Sequence, residues 1–176
     1  MGADDRNEAY AAALFEVAKG EGNLEYVEAE LFQVARLVES NDELRSKLTD
    51  QMIPIELRQG IVEELLEGRT HPVTKALVSF VVGAGRARDL PDIIDRMVER
   101  SATSRDEVVA EVRSAIPLDD DQQRRLTVAL RERTGQNVAV KVIVDPSVLG
   151  GLHVAIGDSV IDGTVRSRLE QLRESL

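Results

Sequence analysis

Residues 144–165 read VDPSVLGGLHVAIGDSVIDGTV. Four glycines, one proline and three aspartates interrupt short apolar runs. The spacing predicts compact strand-and-turn structure. Asp145 is placed to cap a single helical turn, Pro146 suits its first position, and Gly150 suits the left-handed conformation that closes it. Gly151 leads into a strand in which Leu152, Val154 and Ile156 alternate with His153 and Ala155. Gly157-Asp158 is a two-residue loop of the kind used in a II′ hairpin. Ser159 to Ile161 return. Asp162 or Thr164 then caps a last helix with Val165, Leu169, Leu172 and Leu176 on one stripe.

Upstream the pattern is different. Residues 4–20 have helical spacing, with Tyr10, Ala13, Leu14 and Val17 in register and Gly20 and Gly22 at the end. Asn23 is a candidate cap for a second helix whose face is Leu24, Val27, Leu31, Val34 and Val38. Asn41 and Asp42 start a short third. Pro54 opens a fourth with an expected inner face of Leu57, Ile61 and Leu65, stopped by Gly68. Pro72 opens a fifth, in which Val73, Ala76, Leu77, Phe80, Val81 and Ala84 keep a helical period. Pro91 opens a sixth with Leu90, Ile93, Ile94, Met97 and Val98. Six short helices with brief connections imply an antiparallel bundle over residues 1–104.

From residue 105 the period changes to two. In EVVAEVRSAIPL (107–118), Val108, Ala110, Val112 and Ile116 alternate with Glu111 and Arg113, and Ser114 is the polar exception on the apolar side. Asp119 and Gln122 have capping-box spacing. A helix over 120–134 presents Leu126, Ala129 and Leu130, and Gly135 ends it. NVAVKVIV (137–144) is a second strand. Residues 105–176 therefore form a small α+β unit ordered strand, helix, strand, hairpin, helix. The fold class is α+β, mainly α: a six-helix bundle followed by a small C-terminal domain with a β-hairpin and a terminal helix.

The bulk composition narrows the function. The chain has 176 residues, 43% of them hydrophobic, with only 3% aromatic and no Trp. The core is thus built from Leu, Val, Ile and Ala, which offers few stacking platforms for bases. The formal net charge is −10. Residues 1–104 hold 12 Lys and Arg against 20 Asp and Glu, a difference of −8; residues 105–176 hold 10 against 12, a difference of −2. An acidic first part disfavours nucleic acid and anionic lipid and favours a partner segment with positive charge. With no cysteine, disulfides and thiolate metal sites are excluded. The segment MGADDRNEAY is not a secretory signal, and ALVSFVVGAG (76–85) is too short to span a bilayer. The expectation is a soluble cytoplasmic protein.

Catalytic patterns are missing from the sequence. His71 and His153 lie in different expected domains without a ligand pattern. GAGRARD (83–89) follows a helix and lacks the third glycine of a dinucleotide loop, and no lysine-tipped phosphate loop occurs. Asp119, Asp120 and Asp121 lack the alternation of a calcium loop and fit a charged helix start. No catalytic, cofactor-binding or metal residue is nominated. Surfaces remain as the functional material.

Several of these stretches together resemble the delta subunit family of bacterial F-type ATP synthases, related to the mitochondrial oligomycin-sensitivity-conferring protein. They are Val144-Asp145-Pro146-Ser147, Leu149-Gly150-Gly151, Ile156-Gly157-Asp158 and Ile161-Asp162-Gly163-Thr164-Val165. Tyr10-Ala11-Ala12-Ala13-Leu14-Phe15, Ser114-Ala115-Ile116-Pro117-Leu118, and Gly85-Arg86 followed by Leu90-Pro91 also match. Thr164 stands where the family often has Ser, and Ala87 where it often has Leu. The resemblance implies a non-catalytic peripheral-stalk (stator) subunit, attached peripherally at the cytoplasmic face of the cell membrane through the complex. It implies no cofactor, and as partners the N-terminal helices of the alpha subunits and the b subunit.

By that resemblance, helices one and five form a groove for an alpha-subunit helix, with Tyr10, Ala13, Leu14, Val17, Ala76, Leu77, Phe80 and Val81 as candidates. The same residues serve equally well as bundle core. Leu169, Leu172 and Leu176 are the candidates for the b-subunit stalk. Asp145, Pro146, Gly150, Gly151, Gly157, Asp158, Asp162 and Thr164 are assigned to shape, as a rigid hairpin that positions the last helix. The alternative is a cytosolic helical adaptor that binds a helical peptide of an unrelated partner.

Overall fold

A computed structural model of the chain describes residues 3–148, 150–157 and 159–162. It is mainly helical with one small four-stranded sheet. Two compact units are present, Met1–Ser101 and Ala102–Leu176.

The helices are α1 (Ala3–Gly20), α2 (Leu24–Ser40), α3 (Asp42–Thr49), α4 (Ile55–Leu66), α5 (Pro72–Gly83) and α6 (Leu90–Ser104), with a 3₁₀ turn at Ala87–Asp89. Proline and side-chain caps set several starts. The Asn41 side chain accepts from the Leu44 N–H at 2.9 Å. Pro72 occupies the first turn of α5, where its missing N–H costs nothing. The expected stripe of α6 is fully enclosed: Leu90, Ile93, Ile94, Met97 and Val98 are all buried.

Two expectations in this unit are corrected. Asn23 does not cap α2 with its side chain. Its backbone, at φ −121° and ψ 30°, directs the side chain to the Glu21 carbonyl at 3.3 Å. The buried face of α4 is Arg58, Val62 and Leu66, not Leu57, Ile61 and Leu65. Leu57 is exposed, while Ile61 and Leu65 are half-buried. Each member of the buried set lies one residue on from the expected one. At 100° per residue the two ridges are neighbours, and apart from Arg58 both are apolar, so spacing alone does not choose between them.

The second unit contains β1 (Val108–Ser114), α7 (Asp120–Thr134), β2 (Val138–Val144), β3 (Leu152–Ile156) and β4 (Ser159–Asp162). The sheet order is β2-β1-β3-β4. β1 and β2 are parallel, with Val108 opposite Val138 and Val112 opposite Val142. Their crossover is α7, as a parallel pair requires. β3 runs antiparallel to β1, with Val112 opposite Val154, and β4 antiparallel to β3. Ala110, Val112, Leu130, Val138 and Val154 form the core, joined by Leu126, Val140, Leu152 and Ile156.

The capping box of α7 is complete. Asp119 Oδ1 accepts from the Gln122 N–H at 2.8 Å, and the Gln122 side chain accepts from the Asp119 N–H at 2.9 Å. Gly135 closes the helix at φ 70°. Ile116 is 65% exposed because β1 ends at Ser114, before the alternation reaches it. Ala129 is exposed too, leaving Leu126 and Leu130 as the helix's contribution to the core.

In the glycine-rich stretch, Asp145 caps a single hydrogen-bonded turn, as expected, and does so through an Asx turn. Asp145 Oδ1 accepts from the Ser147 N–H at 2.9 Å and from its hydroxyl at 2.6 Å. Pro146 sits in that turn, and the Val148 N–H closes it on the Asp145 carbonyl at 3.1 Å. A carboxylate that satisfies both donors two residues on favours a tight turn over continued helix. Gly150 and Gly151 follow at φ 65° and 78°. Two consecutive residues in the left-handed region explain why both are glycine.

Candidate functional site: an apolar seam on α1 and α5

On α1 the buried residues are Asn7, Ala11, Leu14, Phe15 and Ala18. Tyr10 is half-buried, Ala13 is exposed and Val17 is 46% exposed. On α5, Thr74, Leu77, Val78, Val81 and Val82 are buried, whereas Ala76 is exposed and Phe80 is 53% exposed. The eight residues expected to form the groove thus separate into two sets. Leu14, Leu77 and Val81 belong to the core and offer no surface. Tyr10, Ala13, Val17, Ala76 and Phe80 lie on the outer side. An apolar stripe wider than the neighbouring helices can cover leaves its margin in water.

α1 and α5 pack together, and Tyr10 and Phe80 of the outer set meet across them. The Tyr10 and Phe80 rings are 5.8 Å apart between centroids and tilted by 41°, within the range of favourable aromatic pairs. Exposed large apolar groups joined in this way mark a contact surface more strongly than scattered ones do.

Polar contacts hold the seam in place. The Arg86 guanidinium lies 5.7 Å from the Tyr10 ring centre. It donates to Asn7 Oδ1 and pairs with Asp89 at 3.0 Å. Asn7 Nδ2 donates in turn to Asp92 Oδ2 at 2.6 Å. At the start of α5, the Glu30 carboxylate accepts from the His71 N–H at 2.9 Å and from the Thr74 hydroxyl. His71 Nδ1 accepts from the Val73 N–H at 3.2 Å. Sequence reasoning missed Asn7 as a support for Tyr10. Its signal was a polar residue at a core position of an otherwise apolar face.

In the second unit, Asp145, Pro146, Gly150, Gly151 and Gly157 shape the turns on either side of β3. Hydrogen bonds from Ser147, first from its hydroxyl and then from its N–H, hold the Asp145 carboxyl below its ordinary value, and Arg113 adds to this at 3.7 Å. Gly157 has φ 53° at the β3–β4 turn, the sign a hairpin loop requires. Asp162 is the last residue of β4, opposite His153. Asp158, Thr164, Leu169, Leu172 and Leu176 lie outside the described residues. Among the described residues no cluster of three His, Cys, Asp or Glu side chains is placed to hold a metal. No described helix is long and apolar enough to cross a membrane.

These features define a two-part α+β scaffold with an apolar helix pair left partly in water. Comparison with known proteins gives the family. Residues 7–176 match the family described as ATP synthase delta (OSCP) subunit. The chain is 42% identical over 164 residues to ATP synthase subunit delta of Nocardia farcinica, covering 93% of this chain and 61% of that one. It is 41% identical over 150 residues to ATP synthase subunit delta of Streptomyces griseus, covering 85% and 55%. It therefore spans roughly 60% of the length of the curated relatives it matches. A chain in the cryo-EM structure of the Toxoplasma gondii mitochondrial ATP synthase hexamer has the same fold, with a TM-score of 0.57, 25% identity and 96% of each chain covered. This chain belongs to the ATP synthase delta (OSCP) subunit family.

Proposed function

We propose that the chain is the non-catalytic peripheral-stalk subunit of a proton-translocating F-type ATP synthase. Its six helices act as one bundle that seats N-terminal helices of the alpha subunits on the seam of α1 and α5. The C-terminal unit, with Leu169, Leu172 and Leu176, holds the b-subunit stalk. The protein is then attached to the membrane only through the complex, at its cytoplasmic face. Its work is mechanical: it resists the torque that the rotor applies to the catalytic head.

The observation that carries this reading is the seam. A helix laid along it would cover Val17, Phe80 and the outer edge of Tyr10, with Ala13 and Ala76 allowing close approach. Helix-in-groove binding uses such anchors at successive turns. The acidity of residues 1–104 suits a helix that carries positive charge. Family membership supports the same assignment.

The test is a calorimetric titration of the chain with a synthetic peptide from the N-terminus of the cognate alpha subunit. Saturable binding is expected. Val17→Asp should weaken it, and Leu57→Asp, at an exposed position on α4, should not. A folded protein that shows no binding at high micromolar peptide would refute the seam as the alpha-subunit site.

A further inference from the structure

The chain has three methionines and neither cysteine nor tryptophan. With thiols absent, its thioethers are the side chains most open to oxidation. Two of them, Met52 and Met97, lie within the described residues, and their surroundings are opposite. Met97 is on α6 and fully buried, whereas Met52 is 90% exposed. The turn between α3 and α4 explains that exposure. Asp50 caps the C-terminus of α3, and its Oδ1 accepts from the Met52 N–H at 2.8 Å. Its carbonyl accepts from the Ile53 N–H at 3.3 Å. Pro54 then opens α4. Main-chain donors and the Asp50 side chain hold this turn, and the sulfur takes no part in it. In the same short stretch Ile55 and Leu57 are exposed as well, so the α3–α4 corner presents apolar groups to water.

We propose that Met52 is a reversible oxidation site for hydroperoxides, and that its oxidation makes the α3–α4 corner polar while leaving the fold intact. In the oxidising step a sulfur lone pair attacks one peroxide oxygen. The S–O bond forms as the O–O bond breaks, and the departing oxygen leaves as water when the oxidant is hydrogen peroxide. The sulfur is oxidised by two electrons and the peroxide is reduced by two. Exposure decides both the rate and the consequence. A peroxide reaches the Met52 sulfur from solvent, whereas Met97 is reached only when α6 unpacks. The new sulfoxide oxygen is a hydrogen-bond acceptor that water satisfies at an exposed position, so no polar group is left buried and unpaired. The change falls on the surface alone: a flexible apolar side chain beside Ile55 and Leu57 becomes a polar one. The same access admits a sulfoxide reductase, which removes the oxygen as water while two thiols become a disulfide.

The experiment treats the whole chain with hydrogen peroxide and follows each methionine by peptide mapping and mass spectrometry. Met52 should gain its oxygen about tenfold or more faster than Met97. The oxidised protein should elute earlier from a hydrophobic-interaction column and melt within about 2 °C of the untreated one. Met52→Gln, which imitates the polarity of the sulfoxide, should elute early without peroxide. Met52→Leu should keep its retention through the treatment. Methionine sulfoxide reductases with dithiothreitol should return the oxidised protein to its original retention. Equal oxidation rates at Met52 and Met97 would overturn the site. So would a peroxide-induced change in retention that persists in Met52→Leu, because another residue would then carry it. A melt lowered by about 5 °C or more, in the oxidised protein and in Met52→Gln alike, would show that the side chain is packed and overturn the separation of surface from fold. A shifted retention that the reductases leave in place would overturn reversibility.

Discussion

Phe80→Ala separates folding from binding at the seam. Phe80 is 53% exposed in the free chain. A phenylalanine side chain offers roughly 200 Å², so a docked helix would remove about 100 Å² of it from water. At about 25 cal/mol per Å², and allowing for the Cβ that alanine retains, the binding loss is about 2 kcal/mol, roughly thirtyfold in Kd. The half of the ring already covered, including its contact with Tyr10, contributes a folding loss of similar size, about 2 kcal/mol. Leu77, only 6% exposed, behaves differently. Leu77→Ala should cost 2–5 kcal/mol in stability, in the range of about one deleted core side chain, with little direct loss of affinity. Titration calorimetry with the alpha-subunit peptide gives the first quantity, and denaturant unfolding of the free protein gives the second. Binding loss and folding loss should be comparable for Phe80 and strongly unequal for Leu77. A folded Phe80→Ala variant that binds within twofold of wild type would refute the reasoning, because no apolar area at that ring would then be covered on docking.

Three further outcomes are expected. Asp119→Ala removes one half of the α7 capping box and should lower stability by about 1 kcal/mol, seen as a lower denaturation midpoint. Gly150→Val places a β-branched residue at φ 65° and should cost about 1–2 kcal/mol, whereas Ala at exposed Gly60, within α4 and with open space beside it, should be neutral or slightly stabilising. Asp145 has a depressed carboxyl value because Ser147 and, less strongly, Arg113 favour its charged form. Its contribution to stability is therefore complete above the ordinary value of 3.8 and fades as the pH falls below it, towards the lower folded value. Ser147→Ala removes the hydroxyl bond and should flatten that acid-side slope in a pH series of unfolding midpoints; an unchanged slope would show that the hydroxyl does not set it.

Local chemistry was legible in the residues. The period of α6, the Asp119–Gln122 box, Pro72 at the head of α5 and the alternation of Ala110 and Val112 each depend on neighbours within one or two turns or along one strand. Those relations are present in the chain before it folds. The positive φ of Gly150 and Gly157 belongs to the same group, since the demand for glycine arises in the backbone itself.

What only the tertiary structure decided is which apolar side chains remain in water. Leu14 and Val17 are both apolar, on the same stretch of α1, yet one is buried and the other nearly half exposed. Leu77 and Phe80 divide in the same way on α5, and Leu57 and Val62 do so on α4. Spacing marks an apolar face but says nothing of how far the neighbouring helices extend over it, because that cover comes from segments distant in sequence. The pairing of Arg86 with Asn7 behind Tyr10 arises from the same cause. Sequence by itself determined the elements and most of their caps; the packing of distant elements decided which of their faces were left to bind.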